Sequence, residues 1–352
     1  MKVLGIMSGT SLDGVDIACC DFDMSLAAGW DFQISNAETI AYSDKWKAKL
    51  QNAHLLDGRS ILALHQEYGR FLGKQVILFL ERHNLTVDLI GSHGHTVFHE
   101  PQKGFTFQLG CGKAMWKTCK IPVVADFRTD DVLLGGQGAP LAPIGDDRLF
   151  DQYYFRLNLG GFSNISMNRN NRLVAFDICP VNYALNREAG KLGLSFDEYG
   201  KLAMKGQCLP ELLAELNALD FYKKKPPKSL GREWMEKVWN KCTHRYVQPP
   251  ENMLATFTEH ITDQLSNVLN EYPGSEQVLL TGGGAKNTYL LQRLKVKTDH
   301  KIVVPDMLTV DYKEALIFAF MAMLKQKDQI NVFASVTGAT KDSSAGTWFE
   351  GK

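Results

Sequence analysis

Met7-Ser8-Gly9-Thr10-Ser11-Leu12-Asp13-Gly14 is the stretch that decides the fold, because it separates two apolar runs near the start of the chain. The runs are Lys2–Met7 and Val15–Phe22. Apolar runs of this length are typical of buried strands, and Asp-Gly between two of them is a strong hairpin signal. A third run, Phe32–Ile40, extends the series. The sequence therefore predicts three strands that follow one another as a meander.

The same plan occurs twice along the chain. Ser60 is the predicted N-cap of a long helix, and two short buried strands complete the first cycle. A second set of apolar runs starts a cycle of the same order, with mostly helical sequence over residues 183–270. The further predicted strands are Val87–Ile90, Pro122–Ala125, Phe155–Leu159, Ile165–Met167, Leu173–Ile178, Val278–Leu280 and Ile302–Val304, followed by a helix over about 312–326. This repetition predicts an α/β protein of two related halves.

The composition limits the kinds of partner. The 352 residues include 39 Lys and Arg against 39 Asp and Glu, so the formal net charge is zero. Nucleic-acid binders need an excess of basic residues, and so no nucleic-acid partner is expected. With 45% hydrophobic residues, the chain has enough apolar material for two domains of ordinary size.

Membrane insertion and disulfide bonding are not expected either. The longest apolar stretch, Ala315–Leu324, is about half as long as a membrane span. The N-terminal apolar run is too short for a signal peptide, and the seven cysteines include no Cys-x-x-Cys pair. These features predict a soluble protein of a reducing compartment, with the cytoplasm as the expected location.

Several common catalytic motifs are missing from the sequence. It contains no Gly-x4-Gly-Lys-Ser/Thr, no His-Glu-x2-His, no Gly-x-Ser-x-Gly and no complete Gly-x-Gly-x2-Gly. Phosphate binding by a P-loop, hydrolysis by a zincin and lipase-like serine chemistry are therefore not expected.

Three glycine-rich turns remain, and each one ends an apolar strand. Glycine allows backbone N–H groups to approach an anion closely, and neighbouring hydroxyl groups add donors. A single turn of this kind is more often only a turn, but three in a duplicated fold predict a nucleoside triphosphate held between two lobes. The turns are residues 8–14, residues 160–164 and Thr281-Gly282-Gly283-Gly284-Ala285, the last of which is predicted to open a helix.

Two carboxylates near these turns are candidates for metal binding and acid–base chemistry. Asp13 lies inside the first turn, where its carboxylate could bind magnesium directly or through a water molecule. A purely structural role in the Asp-Gly turn is an equally good interpretation of this residue. Asp177 ends the third strand of the second cycle, and Pro180 fixes the turn after it, so Asp177 is well placed as a general base. The nearby Cys179 is a candidate nucleophile, with an inert buried cysteine as the simpler interpretation.

Polar residues also end two strands of the first cycle. Ser92-His93-Gly94-His95-Thr96, with His99 close behind, favours recognition of a sugar-like ligand. A metal site and satisfied structural histidines are the alternatives. Asp126 and Arg128 follow the next strand, and such residues line the ligand crevice in open α/β sheets. An ion pair between them is an equally good interpretation.

Together these motifs resemble those of the anhydro-N-acetylmuramic acid kinase family, in order, along essentially the whole chain. The resemblance implies two ribonuclease-H-like lobes of the actin-like ATPase fold, shared with sugar kinases, actin and heat-shock chaperones, with the active site in the interlobe cleft. We expect an N-terminal lobe of residues 1–135 plus about 325–352, with the first phosphate hairpin. Residues 136–324 are expected to form the other lobe. The matching segments are 7–16, 91–99, 125–128, 135–141, 227–233, 282–287, 314–315 and 336–339.

The resemblance also implies an unusual reaction. A water attacks the anomeric carbon of 1,6-anhydro-N-acetylmuramic acid and opens the anhydro bridge. The freed O6 then takes the γ-phosphoryl group of MgATP, giving N-acetylmuramic acid 6-phosphate and ADP in peptidoglycan recycling. ATP and Mg²⁺ are the implied cofactors, and a cytoplasmic homodimer is the implied assembly.

The implied roles carry over to this sequence position by position. Asp177 is the implied base that activates the water, and Asp13 is the implied magnesium contact. The implied ATP contacts are Ser8, Gly9, Thr10, Ser11, Leu12, Asp13, Gly14, Val15, Asp16, Gly160, Gly161, Gly283, Gly284 and Asn287. The implied sugar contacts are Ser92, His93, Thr96, Asp126, Arg128, Asn182 and Glu314.

Two departures from the family pattern affect the expected sugar site. His95 stands where the family commonly has Gln, and residues 178–182 read Ile-Cys-Pro-Val-Asn where Thr-Gly-Pro-Gly-Asn is common. Asp177 matches the family pattern, so the same reaction is expected. The departures are expected to alter the affinity for the sugar. Three other functions stay open: a kinase for a free sugar hydroxyl, a non-catalytic ATP-gated binding module, and a metal-dependent hydrolase built on the histidines.

Overall fold

The computed structural model describes residues 1–9, 12–25, 29–169, 172–226 and 228–351. The chain forms two compact units. Unit 1 consists of Met1–Leu149 and Tyr312–Lys352, and unit 2 consists of Phe150–Asp311. Each unit is built around a sheet of its own.

The order of elements is that of a mixed α/β protein. The strands are β1 Lys2–Met7, β2 Gly14–Ser25, β3 Gly29–Ala41, β4 Leu89–Ser92, β5 His95–Glu100, β6 Phe105–Leu109, β7 Val123–Ala125, β8 Phe155–Leu159, β9 Phe162–Arg169, β10 Arg172–Pro180, β11 Gln277–Thr281, β12 Lys301–Val303 and β13 Thr347–Phe349. The α-helices are α1 Asp44–Gln51, α2 Gly58–His83, α3 Gly112–Cys119, α4 Thr129–Leu133, α5 Pro143–Leu149, α6 Asn182–Gly190, α7 Lys201–Lys205, α8 Pro210–Asn217, α9 Asp220–Lys223, α10 Arg232–Trp234, α11 Asn240–Thr243, α12 Pro250–Asn270, α13 Thr288–Lys295, α14 Met307–Gln326 and α15 Ala334–Thr337. Four 3₁₀ turns, Ala53–Leu55, Pro101–Lys103, Glu198–Gly200 and Gly283–Lys286, and one π-helical turn, Met235–Trp239, complete the described elements.

The sheet of unit 1 has the order β13-β7-β4-β1-β2-β3. Strands β1, β2 and β3 form an antiparallel meander, in which Met7 pairs with Asp16 and Asp16 pairs with Thr39. Strands β4 and β7 add in parallel to β1, and β13 closes the edge in the antiparallel direction. The predicted meander at the start of the chain is therefore confirmed.

The sheet of unit 2 has the order β10-β9-β8-β11-β12. Its first three strands are again an antiparallel meander, and β11 and β12 add in parallel to β8. Apart from the extra edge strand β13, this is the strand order of unit 1. The predicted duplication is therefore confirmed, and each unit has the ribonuclease-H-like arrangement of an antiparallel meander extended by parallel strands.

Helix α14 lies directly on the sheet of unit 1. A Cβ atom on Gly5 of β1 would stand 1.8 Å from the carbonyl oxygen of Ala315, and one on Gly91 of β4 would stand 2.1 Å from that of Phe318. Only glycine permits the helix backbone to approach the strands this closely. Burial against the sheet explains the long apolar stretch of this helix. Within the described ranges, no helix is both long and apolar enough to cross a membrane.

The same helix accounts for where the unit boundary falls. The sequence placed this boundary at about residue 324, but the two units divide between Asp311 and Tyr312. Tyr312 has φ −116° and ψ 17°, which breaks the helical geometry at that point, and the residues after it pack on the strands of unit 1. At the other boundary, α5 belongs to unit 1, so this unit extends to Leu149 rather than to residue 135.

Two local predictions were wrong. The predicted helix beginning near Ser60 starts instead at Gly58, with Asp57 as its N-cap, because the Asp57 carboxylate accepts hydrogen bonds from the backbone N–H groups of Arg59 and Ser60. Asp13-Gly14 is not the hairpin turn itself. Gly14 already pairs with Ala41 as the first residue of β2, and Leu12, among the described residues of the connection, is left-handed, with φ +61°.

Candidate active site

A buried hydrogen-bond network holds Ser8, the first residue of the turn after β1. The Ser8 hydroxyl lies 2.7 Å from the Tyr42 hydroxyl and 3.3 Å from Nδ1 of His95. Tyr42 is in turn hydrogen-bonded to the Tyr68 hydroxyl of α2, at 2.5 Å. Burial raises the pKa of both tyrosines and lowers the pKa of His95, so all three side chains are neutral near pH 7. The two tyrosines were not identified from the sequence, because they come from segments that are distant from Ser8 along the chain.

Among the described residues of this turn, Asp13 is exposed, whereas Gly9 and Leu12 are half-buried. Thr10 and Ser11, two of the predicted ATP contacts, lie outside the described residues. Val15 is fully buried in the core, and Gly14 is required by the close approach of β3, because a Cβ atom would stand 2.6 Å from the carbonyl oxygen of Ile40. Gly14 and Val15 therefore have structural reasons for their identity that do not involve a ligand.

Two carboxylates come near each other beside this turn. Thr39 donates a hydrogen bond to Oδ1 of Asp16 across 2.7 Å. The protein atoms packed around Glu314, and next the charge of Asp16, raise the pKa of the Glu314 carboxyl, although the side chain still reaches solvent. Asp16 and Glu314 were predicted to face different ligands, ATP and the sugar, and within unit 1 the fold brings them together.

His93 is held between two partners and is not available to a metal ion. Its Nδ1 lies 2.9 Å from the carbonyl oxygen of Gly94, and its Nε2 accepts a hydrogen bond from Nε of Arg128 across 3.0 Å. Burial, and then the charge of Arg128, hold the pKa of His93 well below its usual range. In the part of the chain that the structure describes, no three His, Cys, Asp or Glu side chains are grouped so that they could hold a metal ion.

Arg128 supports the site through its neighbours rather than through an ion pair with Asp126. Besides His93, it donates from Nη1 to the carbonyl oxygen of Gly138 across 2.6 Å. Burial lowers the pKa of Arg128 to about 10, which leaves the guanidinium charged at pH 7. Asp126, which has φ +60°, instead accepts a hydrogen bond from Thr129 across 2.6 Å.

Of the other predicted sugar contacts in unit 1, Thr96 is half-buried and Ser92 is fully buried. Thr96 lines a depression of about 200 Å³. Three side chains of this depression, Leu50, Gln51 and His54, were not identified from the sequence, because α1 and the turn after it carry no catalytic motif. The complete lining is Leu12, Leu50, Gln51, His54, His95, Thr96 and Val97.

Asp131 was also missed, although it joins two segments that the motifs had singled out separately. Its carboxylate is fully buried and accepts hydrogen bonds from the Thr337 hydroxyl and from the Gly138 N–H, both across 2.7 Å. The Gln137 N–H also donates to the carbonyl oxygen of Thr337 across 2.9 Å. The loop 135–141 is thus fixed against the segment 336–339, and through Gly138 it also fixes Arg128.

In unit 2, Asp177 lies near the end of β10 with its carboxylate half-buried. Oδ2 accepts a hydrogen bond from the Leu230 N–H across 2.7 Å, and the Asp177 N–H donates to the carbonyl oxygen of Lys228 across 3.0 Å. Burial raises the pKa of Asp177, and the bond from Leu230 opposes that rise. A carboxylate with a raised pKa in a partly open position has the properties of a general base.

Cys179 does not have the properties of a nucleophile. It is fully buried, and burial raises the pKa of its thiol to about 12. Its backbone N–H donates to the Ser163 hydroxyl across 3.1 Å, and that hydroxyl donates to the Cys179 carbonyl oxygen across 3.0 Å. Ser163 thereby holds the bulge that interrupts the β9–β10 pairing between Asp177 and Pro180.

A polar row crosses the sheet of unit 2 at the level of Asp177. Asp177 pairs with Asn164, Asn164 with Asn158, and Asn158 with Thr281, so four neighbouring strands present these residues in one register. Residues directly opposite each other in a sheet share a face. The exposed Asn164 is therefore the nearest polar neighbour of Asp177 across the strands, and the sequence did not single it out.

The second glycine turn is fixed by the start of α6. The Asn182 N–H donates to the carbonyl oxygen of Gly160, and the N–H groups of Val181 and Tyr183 donate to that of Gly161. In a trans peptide the C=O and N–H groups point in opposite directions, so the Gly161 N–H points away from α6. The Asn182 side chain donates to the carbonyl oxygen of Leu159 across 3.1 Å, which assigns it to holding this turn.

The third glycine turn does not open an α-helix as predicted. It begins a 3₁₀ turn over Gly283–Lys286, and α13 starts only after Asn287, whose side chain caps the helix by accepting from the Leu290 N–H. Cβ atoms on Gly282 and Gly284 would collide with the end of β8, whereas Gly283 is exposed. Of the predicted contacts here, Gly283 is the one open to a ligand, and Asn287 has a capping role.

Comparisons with known proteins show the family of this chain. The sequence profile of the anhydro-N-acetylmuramic acid kinase family matches residues 1–351. Proteins named anhydro-N-acetylmuramic acid kinase are 33% identical in Legionella pneumophila (strain Lens), with 96% of this chain and 94% of the relative covered, and 31% identical in Acinetobacter baylyi, with 98% of both covered. Among solved structures, component A of (R)-2-hydroxyglutaryl-CoA dehydratase from Acidaminococcus fermentans is 12% identical with a TM-score of 0.46, covering 93% of this chain and 99% of that one. The chain belongs to the anhydro-N-acetylmuramic acid kinase family.

Proposed function

We propose that this protein is an ATP-dependent kinase that opens the 1,6-anhydro ring of anhydro-N-acetylmuramic acid and phosphorylates O6. The products are N-acetylmuramic acid 6-phosphate and ADP, in peptidoglycan recycling. The observation that carries the proposal is the state of Asp177, a half-buried carboxylate whose pKa is raised and whose Oδ2 is held by the Leu230 N–H. The family membership of the chain supports the choice of substrate.

Asp177 acts as the general base of the first step. Its other oxygen, Oδ1, takes a proton from a water molecule, whose oxygen forms a bond to the anomeric carbon of the sugar. The bond between that carbon and the bridging oxygen breaks, and the bridging oxygen becomes O6. Proton removal by a positioned carboxylate contributes roughly 10²- to 10⁴-fold to the rate of such a step.

The second step forms the bond from O6 to the γ-phosphorus of ATP and breaks the bond to ADP. Phosphoryl transfer depends mainly on positioning and charge stabilisation. Backbone N–H groups supply both, and the candidates are the turn that begins at Ser8, the outward-facing Gly161 N–H and the exposed Gly283. The buried Ser8–Tyr42 bond keeps the first turn in one conformation.

Magnesium is proposed to bind with ATP near Asp13. Mg²⁺ typically keeps several waters and uses one or two protein carboxylates together with the phosphates, so a single exposed carboxylate fits this role. Asp13 is exposed. When bound, the ion would neutralise charge on the phosphate oxygens.

The sugar is proposed to bind at Thr96, Asp126 and Glu314. These three side chains reach the surface of unit 1, whereas Ser92 and His93 lie beneath it and support it. We assign Arg128 a supporting role, because its Nε donates to His93 and its Nη1 donates to Gly138.

We also infer a cytoplasmic location and a homodimeric state. All seven cysteines are free, as is usual in a reducing compartment. The homodimer rests on the family resemblance, and sedimentation equilibrium of the purified protein tests it.

The test of the proposed function is an assay with MgATP and anhydro-N-acetylmuramic acid in ¹⁸O-labelled water. The proposed reaction gives a 6-phosphorylated sugar with one solvent oxygen at the anomeric carbon, detected by mass spectrometry before exchange. A kinase for a free sugar hydroxyl gives a phosphorylated product without that label. A folded protein that binds ATP but forms no phosphorylated sugar contradicts the proposal.

A further inference from the structure

We propose that the backbone N–H of Leu230 is a positioning group that binds Oδ2 of Asp177 and thereby leaves Oδ1 as the one oxygen that takes the proton from water. This inference rests on the proposed function of Asp177 as the base. It assigns a role to the segment 228–231, which lies in the connection between α9 and α10.

The contacts between this segment and Asp177 are reciprocal. The Leu230 N–H donates to the carboxylate across 2.7 Å, and the Asp177 N–H donates to the carbonyl oxygen of Lys228 across 3.0 Å. The segment thus binds the side chain and the backbone of the same residue. A side chain held at its carboxylate and its own backbone has little freedom to rotate, so Oδ1 keeps a constant direction.

The segment is itself anchored on both sides. The Lys228 ammonium lies over the rings of Phe221 and Phe176, at 4.9 and 5.9 Å from their centroids. On the other side, the Trp234 N–H donates to the carbonyl oxygen of Gly231 across 3.1 Å. These anchors keep the Leu230 N–H in place.

The hydrogen bond also tunes the base. Burial raises the pKa of Asp177, and a donor to the ionised form lowers it, so the two effects oppose each other. Loss of the donor is therefore expected to raise the pKa of Asp177 by about one unit.

The test removes the donor atom and leaves the side chain unchanged. Replacing Leu230 by its α-hydroxy acid analogue through nonsense suppression exchanges the N–H for an ester oxygen. In this variant we expect the acid limb of the kcat–pH profile to move up by about one unit, with the dissociation constant for ATP within twofold of wild type. Leu230→Ala keeps the N–H and is the matched control, so its acid limb should stay at the wild-type pH.

A second measurement distinguishes a failure of this positioning role from a failure of the proposed function. Carbon-13 NMR of labelled aspartate follows the Asp177 carboxyl directly, without turnover, in wild type and in the ester variant. A higher pKa in the ester variant supports the positioning role whatever the substrate is. An unchanged pKa and an unchanged acid limb overturn it, even if Asp177→Asn is inactive and the kinase activity is real.

Discussion

Arg128 donates a hydrogen bond from Nε to Nε2 of His93 across 3.0 Å, and this contact fixes His93 as the neutral tautomer that carries its proton on Nδ1. The Nδ1–H in turn donates to the carbonyl oxygen of Gly94. A chain of donors thus runs from the charged guanidinium through a neutral ring to the backbone beside β4. The histidine therefore links Arg128 to the turn between β4 and β5, and β5 carries Thr96.

Loss of the Arg128 guanidinium should destabilise unit 1. Arg128→Met keeps much of the aliphatic packing but leaves Nε2 of His93 and the carbonyl oxygen of Gly138 without their donor. A buried acceptor without a partner costs about 1–3 kcal/mol, so we expect a loss of about 2–4 kcal/mol in the free energy of unfolding. Urea denaturation measures this, and a loss below about 0.5 kcal/mol would contradict the role given to the contact.

Removing the proposed base should stop turnover without affecting nucleotide binding. Asp177→Asn has nearly the same shape but cannot accept the proton from water, so we expect kcat to fall by about 10²- to 10⁴-fold. The dissociation constant for ATP, measured by calorimetry, should stay within about twofold because no proposed ATP contact is lost. Activity within tenfold of wild type would remove Asp177 from the role of base.

On acidification, kcat should begin to fall at a higher pH than the titration of an ordinary aspartate would give. Burial raises the pKa of Asp177, so the ionised base is lost as the pH falls through this raised value, which exceeds the usual value of about 3.9. The native state also binds this proton more tightly than the unfolded chain. The contribution of Asp177 to stability therefore grows as the pH falls through the same window. A pH profile of kcat with saturating substrates checks the first point.

Acid should destabilise unit 2 through His260. This histidine is fully buried, accepts at Nε2 from the Tyr222 hydroxyl, and donates from Nδ1 to Oδ1 of Asn217. Burial lowers its pKa to about 3, so the unfolded chain binds a proton below about pH 6.5 that the native state does not. Stability is therefore lost as the pH falls from about 6.5 towards 3, by about 2 kcal/mol at pH 5.

The variant His260→Gln removes this titration and should flatten the pH dependence between 7 and 5. Urea denaturation at several pH values provides the comparison. A slope as steep in His260→Gln as in wild type would show that other groups cause the acid sensitivity.

Gly5→Ala should be among the most destabilising substitutions in unit 1. The added methyl group would stand 1.8 Å from the carbonyl oxygen of Ala315, so strand or helix backbone must move. Overpacking of this kind costs about 1–3 kcal/mol and more where backbone is displaced, and we expect a loss of about 3 kcal/mol or more. Gly58→Ala is the matched control, because a Cβ atom there meets nothing within 4 Å. Equal melting temperatures for the two variants would contradict the proposed helix–strand contact.

The sequence was sufficient to predict the strands and the repeated plan, because apolar runs bounded by glycine turns are local patterns. It was not sufficient for the geometry of the turns. Gly14 looked like a turn residue, but its requirement for glycine comes from Ile40 on a strand that follows 26 residues later. The glycines from 282 onward looked like the start of a helix, but the capping side chain of Asn287 moves the start of α13 beyond them.

The supporting residues of the candidate site could not be predicted for the same reason. Asp131 and Thr337 are 206 residues apart, and no local pattern links them. Tyr42 and Tyr68 lie in unrelated segments that only the fold brings beneath Ser8. Motifs identify residues whose type suits a reaction, whereas the side chains that hold them are defined by tertiary contacts.

The glycine contacts between α14 and the strands have a mechanical consequence for the carboxylate of Glu314. This residue directly precedes Ala315, whose carbonyl group rests against Gly5, and β1 ends two residues beyond Gly5 at the turn that begins with Ser8. At this contact the backbones of α14 and β1 touch directly, with no side chain between them. Neither element can shift along the other without a steric clash. Glu314 and the Ser8 turn are therefore expected to move together as one rigid group. A sequence change that adapts the Glu314 carboxylate to another substrate would have to replace neighbouring side chains, because the helix itself cannot shift.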